Sequence, residues 1–403
     1  MFASRINRLT SSLVRDILAL ATQPGMISFA GGLPAEEGLF KPQDAGIDLN
    51  ALPDALWQYG MSEGEPALRE WVAKRACGLG LACSPEQVLI LNGSQQGIDL
   101  VAKLLVEEGD QVLVESPAYL AALQVFRLFG ADMHGIAQDD DGALPAALDT
   151  APAARFVYLT PTFQNPTGRC TAQRRRMELA AICDHRQLPV FEDDPYRDLS
   201  FDGPAPAPLV SHLKNAHWIY QGSFSKTLAP GLRLGYLIAH PDFYPALVKL
   251  KQAADLHTNR LSQFIVLQAL QRNLIAPHVA GNLPIYRERR DAMQAALQQH
   301  LSSKADWTVP GGGLFFWLHL REKIDGMALL NRALARGLVF MPGDTFFAGE
   351  PEYPALRLNF SHSSPDEIRR GVAILADLLN ETGDASSNSL AGKYQPDCAL
   401  QHG

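Results

Sequence analysis

The chain has 403 residues, 47% of them hydrophobic and 19% charged, with a formal net charge of −8. That length supports two to three domains and a large core, and the acidic balance argues against nucleic acid as a partner. No apolar run approaches the length of a membrane span. The five cysteines (Cys77, Cys83, Cys170, Cys183 and Cys398) are scattered and odd in number, the pattern of free thiols serving mostly as core filler in a reducing compartment. Asn92-Gly93-Ser94 has the form of a glycosylation acceptor, but nothing like a secretory signal precedes it. Arg5, Arg8 and Arg15 give the start a faint transit-peptide character; the expected location is the cytoplasm.

Leu9, Leu13, Val14, Ile17, Leu18 and Leu20 recur at helical spacing, so an amphipathic helix opens the fold and ends at Pro24-Gly25. Residues 26–34, MISFAGGLP, follow as a short strand running into a Gly-Gly turn. Helices are expected over 66–77, 97–108, 118–129, 145–149 and 172–185. Strands are expected over 88–91, 111–114, 132–136, 156–159 and 189–192. Strands alternating with helices predict a mainly parallel sheet covered on both faces, an α/β architecture. A helical region over about 241–301 then gives way to an alternating strand over 314–320, which suits a smaller α+β domain joined in space by the N-terminal segment. From Thr382 the chain is polar and rich in small residues.

The most informative stretch is QGSFSKTLAPGLRLGY at 221–236. It reads as strand, loop, strand, with Lys226 among Ser223, Ser225 and Thr227 and with Arg233 seven residues further on. A lysine on such a loop can form a Schiff base with an aldehyde when neighbouring cations or desolvation free its amine. The serines and Arg233 could hold a phosphate, the guanidinium gripping two oxygens at once. Pyridoxal phosphate needs both features. Taken alone, the stretch could also be a solvated lysine in a Ser/Gly loop, the less favoured of the two readings.

The pattern S-F-S-K-x-x-x-P-G-x-R-x-G-Y resembles the lysine segment of fold-type-I pyridoxal-phosphate aminotransferases. The nearest subgroup is that of the 2-aminoadipate and kynurenine aminotransferases, together with the aminotransferase-like half of MocR-type regulators. The resemblance covers roughly residues 12–379. It implies a large domain at 45–290 with a mainly parallel seven-stranded sheet, and a small domain formed by 291–381 with a lid helix and strand from 1–44. Residues 382–403 remain as a polar tail.

Several further motifs carry chemistry. LNGSQQG at 91–97 joins a strand to a helix, where backbone amides form an anion site; an ordinary capped helix start has the same look. The resemblance assigns the cofactor phosphate to Ser94, Gln95 and Gln96, with Ser223, Ser225 and Arg233. It puts Tyr119 on the pyridine face, where a flat aromatic stacks, although an isolated tyrosine there could be core. In TPTFQNPTG, 160–168, Asn165 can donate to the cofactor's phenolic oxygen. VFEDDPY, 190–196, puts three acids at the end of a parallel strand, where such sheets bind ligands. The resemblance assigns Asp193 to the pyridine nitrogen and Tyr196 to the phenolic oxygen. A Mg²⁺ site from Glu192, Asp193 and Asp194 is the rival reading, but no Walker-type phosphate motif accompanies it.

For the substrate, PALRLNFS at 354–361 matches the segment whose arginine binds the α-carboxylate, which would be Arg357. The Gly31-Gly32 turn lets backbone approach the same group. WQYGMSEG at 57–64 resembles the segment whose tyrosine, here Tyr59, reaches the neighbouring subunit's phosphate, and DLHTNRLSQ at 255–263 lies near the dimer boundary in the family. A homodimer with shared sites follows.

The expected activity is transfer of an amino group from an L-amino acid to a 2-oxo acid, 2-oxoglutarate by family habit, with Lys226, Asp193 and Tyr196 as the catalytic residues. Arg15, in a S-x-x-R stretch of the first helix, could read an acidic side chain, or could be an exposed helix arginine. Arg260 is a second candidate from across the dimer. A lyase on the same scaffold stays open, because reaction choice depends on which Cα bond stands perpendicular to the ring. A MocR-type regulator would need a DNA-binding domain, and only 26 residues precede ISFAGGLP, fewer than a helix-turn-helix domain of ordinary size.

Overall fold

A computed structural model describes residues 2–9, 17, 23–48 and 50–385. The expected first helix therefore lies largely outside the described residues, as do Arg15 and the end of the tail. Ile17 alone is described there, helical and buried.

Fourteen strands are described: β1 (Ile27–Ser28), β2 (Val88–Leu91), β3 (Gln111–Ser116), β4 (Asp132–Asp139), β5 (Gly142–Ala143), β6 (Phe156–Leu159), β7 (Val190–Asp193), β8 (Trp218–Ser223), β9 (Gly235–Ala239), β10 (Ala305–Asp306), β11 (Phe315–Leu320), β12 (Leu338–Val339), β13 (Met341–Pro342) and β14 (Ala355–Asn359). Eight of them form one sheet in the order β2-β9-β8-β7-β6-β3-β4-β5. The pairs β3–β4, β3–β6, β6–β7 and β7–β8 are parallel, whereas β9 runs antiparallel to both its neighbours. The family resemblance implies seven strands. The eighth is the two-residue β5, which folds back on β4 through a turn that Gly142 can make at φ +100°.

Strands β2, β6 and β7 are buried at every position, as continuous apolar runs are when helices cover both faces. Strict alternation divides them: Val88 and Ile90 join the core on one face, Leu89 and Leu91 the core on the other. The covering helices include Pro66–Gly78, Ser94–Leu105, Leu120–Phe129, Gln173–Arg186 and Tyr244–Asp255. The helix expected from residue 97 begins at Ser94, directly after Gly93 at φ +79°. Gly97 is not a start signal but a contact: a Cβ there would lie 1.8 Å from Gln221 Oε1. The expected helical region after 241 resolves into Tyr244–Asp255, Arg260–Gln271 and Ile275–Leu301.

A second, four-stranded antiparallel sheet, β10-β11-β14-β13, has its own core around Phe315, Phe316, Leu318, Leu356 and Leu358. β11 departs from the expected alternation: all but His319 of its residues are buried, because helices and the first sheet's loops cover both faces. Strand β1 pairs in parallel with β12, Ile27 opposite Leu338, which stitches the segment after residue 23 onto this second core. The cysteines depart from expectation too. Among the described ones only Cys183 is buried; Cys83 and Cys170 are half-buried, and Cys77 is exposed.

Candidate active site

The carboxyl ends of β3, β6, β7 and β8 open into a cavity of about 370 Å³, the position at which parallel sheets hold ligands. Of the residues singled out in the sequence, Gly32, Ser94, Gln95, Tyr119, Asn165, Asp193, Tyr196, Ser223, Ser225, Lys226, Arg233 and Arg357 all line it. They come from positions as far apart as 32 and 357, so the fold, not local spacing, brings them together.

Lys226 follows β8 and is half-buried; its Nζ donates to the Gly32 carbonyl at 2.7 Å. Desolvation, with Arg233 and Arg357 adding positive charge nearby, lowers its pKa from 10.5 to about 8. A usable fraction of the amine is therefore neutral near physiological pH.

Asp193 ends β7, fully enclosed. Tyr158 Oη donates to its Oδ2 at 2.8 Å and Gln221 Nε2 to its Oδ1 at 2.9 Å. Burial still raises its pKa to about 6, since its neighbours supply dipoles but no cation to answer the charge. Its sequence neighbours point elsewhere. Asp194 pairs with Arg197 and accepts from Tyr220 Oη at 2.9 Å, while Glu192 accepts from the Val210 N–H at 2.9 Å and lies 3.7 Å from Arg176. The three carboxylates do not converge, which removes the geometric basis of the Mg²⁺ reading. Among the described residues the one cluster of metal-ligand type is His217, His240 and Asp242, at the opposite end of β8 and β9.

At another wall Arg357 Nη1 donates to Asn165 Oδ1 at 2.7 Å, and Nη2 donates to the Ala30 carbonyl. The guanidinium lies 4.3 Å from the Phe315 ring centroid and 4.9 Å from that of Phe346. Tyr196 packs edge-on against Phe315, and burial raises its hydroxyl pKa. Tyr119 precedes the helix Leu120–Phe129, with its hydroxyl 3.4 Å from Gln95 Oε1.

The remaining corner suits an anion. The first turn of Ser94–Leu105 presents backbone amides, and Arg233, at φ +47°, reaches so near Gly93 that a Cβ there would sit 2.6 Å from Nη2. Gly235 is equally confined: its Cβ would lie 2.9 Å from the Ser94 amide nitrogen. Amide dipoles, hydroxyls and an arginine around a cradle that only glycines allow fit a phosphate. An aldehyde-reactive amine and a buried carboxylate at separate points of the same cavity fit the rest of pyridoxal phosphate.

One sequence-based assignment needs correction. The Gln96 side chain turns away from the cavity: its Nε2 donates to Asp255 at 2.6 Å and its Oε1 accepts from the Asn92 N–H at 3.0 Å. Arg260, the candidate from across the dimer, pairs with Glu65 at 2.6 Å and donates to the Ala55 and Gln58 carbonyls, outside its own subunit's cavity. Tyr59 is 75% exposed and outside the cavity, in edge contact with His257. Sequence reading missed Tyr158 and Gln221, which hold Asp193, and Phe346, which backs Arg357. Strand register was the available signal for one of them, since Asp193 lies opposite Gln221 across β7 and β8.

The sequence model for aminotransferase class I and II matches residues 25–375. This chain belongs to that family. It is a pyridoxal-phosphate-dependent aminotransferase of the type I fold. The 2-aminoadipate transaminase of Thermus thermophilus is 38% identical over 389 residues, covering 94% of this chain and 96% of that protein. The aromatic-amino-acid aminotransferase 1 of Thermococcus litoralis is 34% identical over 396 residues, covering 94% of each. Among solved structures, the α-aminoadipate aminotransferase LysN from Thermus thermophilus, complexed with N-(5'-phosphopyridoxyl)-L-leucine, superposes with a TM-score of 0.87 at 35% identity, covering 95% of this chain and 98% of that one.

Proposed function

We propose that this aminotransferase works with Lys226 as the point of cofactor attachment and as the proton carrier, and that its amino donors include 2-aminoadipate and aromatic or aliphatic L-amino acids. The observation that carries the reading is the half-buried Lys226 amine, lowered to about 8, in one cavity with Asp193, Arg233 and Arg357. Bound pyridoxal phosphate supplies an electron sink for the pair released when the substrate's Cα–H bond breaks.

The chain's own groups do the rest. Ser94, Gln95, Ser223, Ser225 and Arg233 bind the phosphate through hydroxyls, amides and one guanidinium. Asp193 offers its carboxylate to the ring nitrogen and keeps a proton there. Asn165 and Tyr196 serve the phenolic oxygen, and Tyr119 covers a ring face. Arg357, with the Gly32 backbone beside it, takes the substrate carboxylate and so turns Cα–H toward Lys226. Lys226 Nζ accepts that proton and would return it to the cofactor carbon on the far side of the substrate nitrogen. The return half uses a 2-oxo acid, 2-oxoglutarate being the proposed acceptor.

The donor range is supported by the names of the relatives. Arg15, proposed to read an acidic side chain, lies outside the described residues. A homodimer is supported by the exposed Trp57, Tyr59, Met61 and Leu256, with Tyr59 in contact with His257; such apolar exposure marks an interface. Tyr59 is proposed to reach the partner's phosphate. Two separate sheets and cores support the division into 45–290 and 1–44 with 291–381. No helix among the described residues is long and apolar enough to cross a membrane, and the cytoplasm is the proposed location.

The test is the visible absorption of purified protein before and after adding single L-amino acids with no oxo acid. Loss of the cofactor's visible band with 2-aminoadipate or an aromatic amino acid is the expected result. A band that no amino acid changes would overturn the donor assignment, and a protein that takes up no cofactor would overturn the role of Lys226.

A further inference from the structure

Behind the first turn of Ser94–Leu105 lies an ion pair that the reaction does not use, its lysine buried and its carboxylate half-buried. Lys251, wholly buried on the helix Tyr244–Asp255, donates to Asp255 Oδ1 at 2.6 Å. The other oxygen, Oδ2, accepts from Asn92 Nδ2 and from Gln96 Nε2, both at 2.6 Å. Gln96 Oε1 accepts in turn from the Asn92 backbone N–H at 3.0 Å. Asn92 and Gln96 bracket Gly93, Ser94 and Gln95, and the last two of these line the cavity. One carboxylate therefore ties both ends of the turn to a neighbouring helix.

The turn is also held from its other side. A Cβ on Gly235 would lie 2.9 Å from the Ser94 amide nitrogen and 3.1 Å from the Gly93 carbonyl carbon. The turn thus packs closely against β9 on one side and is hydrogen-bonded to Asp255 on the other.

Burying the Lys251 ammonium is a poor choice for stability alone, because its desolvation cost offsets much of what pairing with the half-buried Asp255 contributes. What such a pair offers is fixed geometry. It also removes a liability, since an unneutralised carboxylate behind an anion site would repel the anion. Lys251 supplies that neutralising charge without reaching into the cavity.

We infer that Asp255, held by Lys251, is a positioning residue for the phosphate-binding turn, setting the amides and hydroxyl of Ser94 and Gln95 to receive a phosphate monoester. The inference rests on the assignment of pyridoxal phosphate to this cavity.

Two variants test it. Gln96→Leu cuts one link and leaves the Lys251–Asp255 pair intact. The double variant Lys251→Met with Asp255→Asn replaces the pair without leaving a bare buried charge. Apoprotein is titrated with pyridoxal phosphate and, separately, with pyridoxal, which lacks the phosphate, and apoprotein melting is recorded alongside. Each variant is expected to weaken pyridoxal phosphate roughly tenfold to a hundredfold, the range for losing a hydrogen bond to a charged group. Pyridoxal affinity and apoprotein melting should barely move. Equal losses for both ligands, or no loss for either, would overturn the positioning role. If the double variant fails to fold, Gln96→Leu alone gives the same readout. A parent protein that binds neither ligand would instead overturn the cofactor assignment.

Discussion

Arg357 and Asn165 share a hydrogen bond, Nη1 to Oδ1 at 2.7 Å, although 192 positions separate them in the chain. The bond joins β14 of the second sheet to the turn after β6 of the first, so the arginine proposed to bind the substrate carboxylate and the amide proposed to face the cofactor are set by one contact. Phe315 and Phe346 confine the plane of the guanidinium between them, and burial lowers its pKa to about 10, which still leaves it charged at neutral pH.

That geometry predicts that charge alone will not replace Arg357. Lysine keeps the positive charge but loses the planar fork and its contact with the two rings. Arg357→Lys should lower kcat/KM for amino acids by about a hundredfold, equivalent to one or two charge-assisted hydrogen bonds. Cofactor uptake should be unchanged. Steady-state kinetics beside a cofactor titration separates the two, and a variant with normal kcat/KM would sink the carboxylate assignment.

How much of this is legible in the sequence differs by residue. Lys226 and Arg233 sit in a motif whose local chemistry points at the cofactor, Asp193 and Asn165 in motifs that only the family resemblance assigns to it, and all four line the cavity. Gln96 misleads because a helix turn points successive side chains in different directions, and sequence spacing alone does not reveal that Asp255 waits on the outer side. Phe346 is invisible for another reason: it reaches Arg357 only through the packing of the second sheet, and nothing near it in the sequence marks it. Local strand order comes through because apolar runs and breaks encode it. The eighth strand escapes because two residues carry no periodicity.

The Lys226 amine should govern how the apoprotein captures its cofactor. Its pKa is lowered from 10.5 to about 8 by desolvation, then by Arg233 and Arg357. Only the neutral amine attacks the aldehyde, so capture should quicken about tenfold per pH unit below pH 8 and level off above it. Linkage gives the sign for stability. Between about 8 and 10.5 the unfolded chain binds the proton that the folded chain has lost, so this group's contribution to apoprotein stability rises with pH across that window. Stopped-flow capture rates and melting as a function of pH check both statements, and a flat capture profile would place the amine's pKa elsewhere.

Gly235→Ala should damage the phosphate corner more than its size suggests. The added Cβ would meet backbone atoms, the Ser94 nitrogen at 2.9 Å and the Gly222 oxygen at 3.0 Å, and neither can swing aside as a flexible side chain could. Overpacking of this kind costs about 1–3 kcal/mol, and the displaced Ser94 turn should weaken pyridoxal phosphate by a similar factor. Thermal melting and cofactor titration of the variant should both shift. Gly231→Ala is the control, since nothing lies within 4 Å of a Cβ there.

Arg176 should prove to be the strut beneath the turn that carries Asn165. It is fully buried, donating from Nε to the Thr171 carbonyl at 2.8 Å and from Nη2 to the Pro161 carbonyl at 2.7 Å and to Thr162 Oγ1 at 3.0 Å. It also faces Glu192 at 3.7 Å, whose Oε1 has no hydrogen bond. Arg176→Ala strands these acceptors and leaves Glu192 without its cation, a loss of about 3–5 kcal/mol. Burial already raises Glu192 to about 7, and removing the arginine raises it further. The folded variant would then hold a proton that the unfolded chain releases at lower pH, so the destabilisation should be largest at and above neutrality and shrink as Glu192 protonates. Denaturant melts at about pH 6 and about pH 8 read the difference directly. An equal loss at both would mean that Arg176 matters for its hydrogen bonds and bulk, with its charge opposite Glu192 contributing nothing.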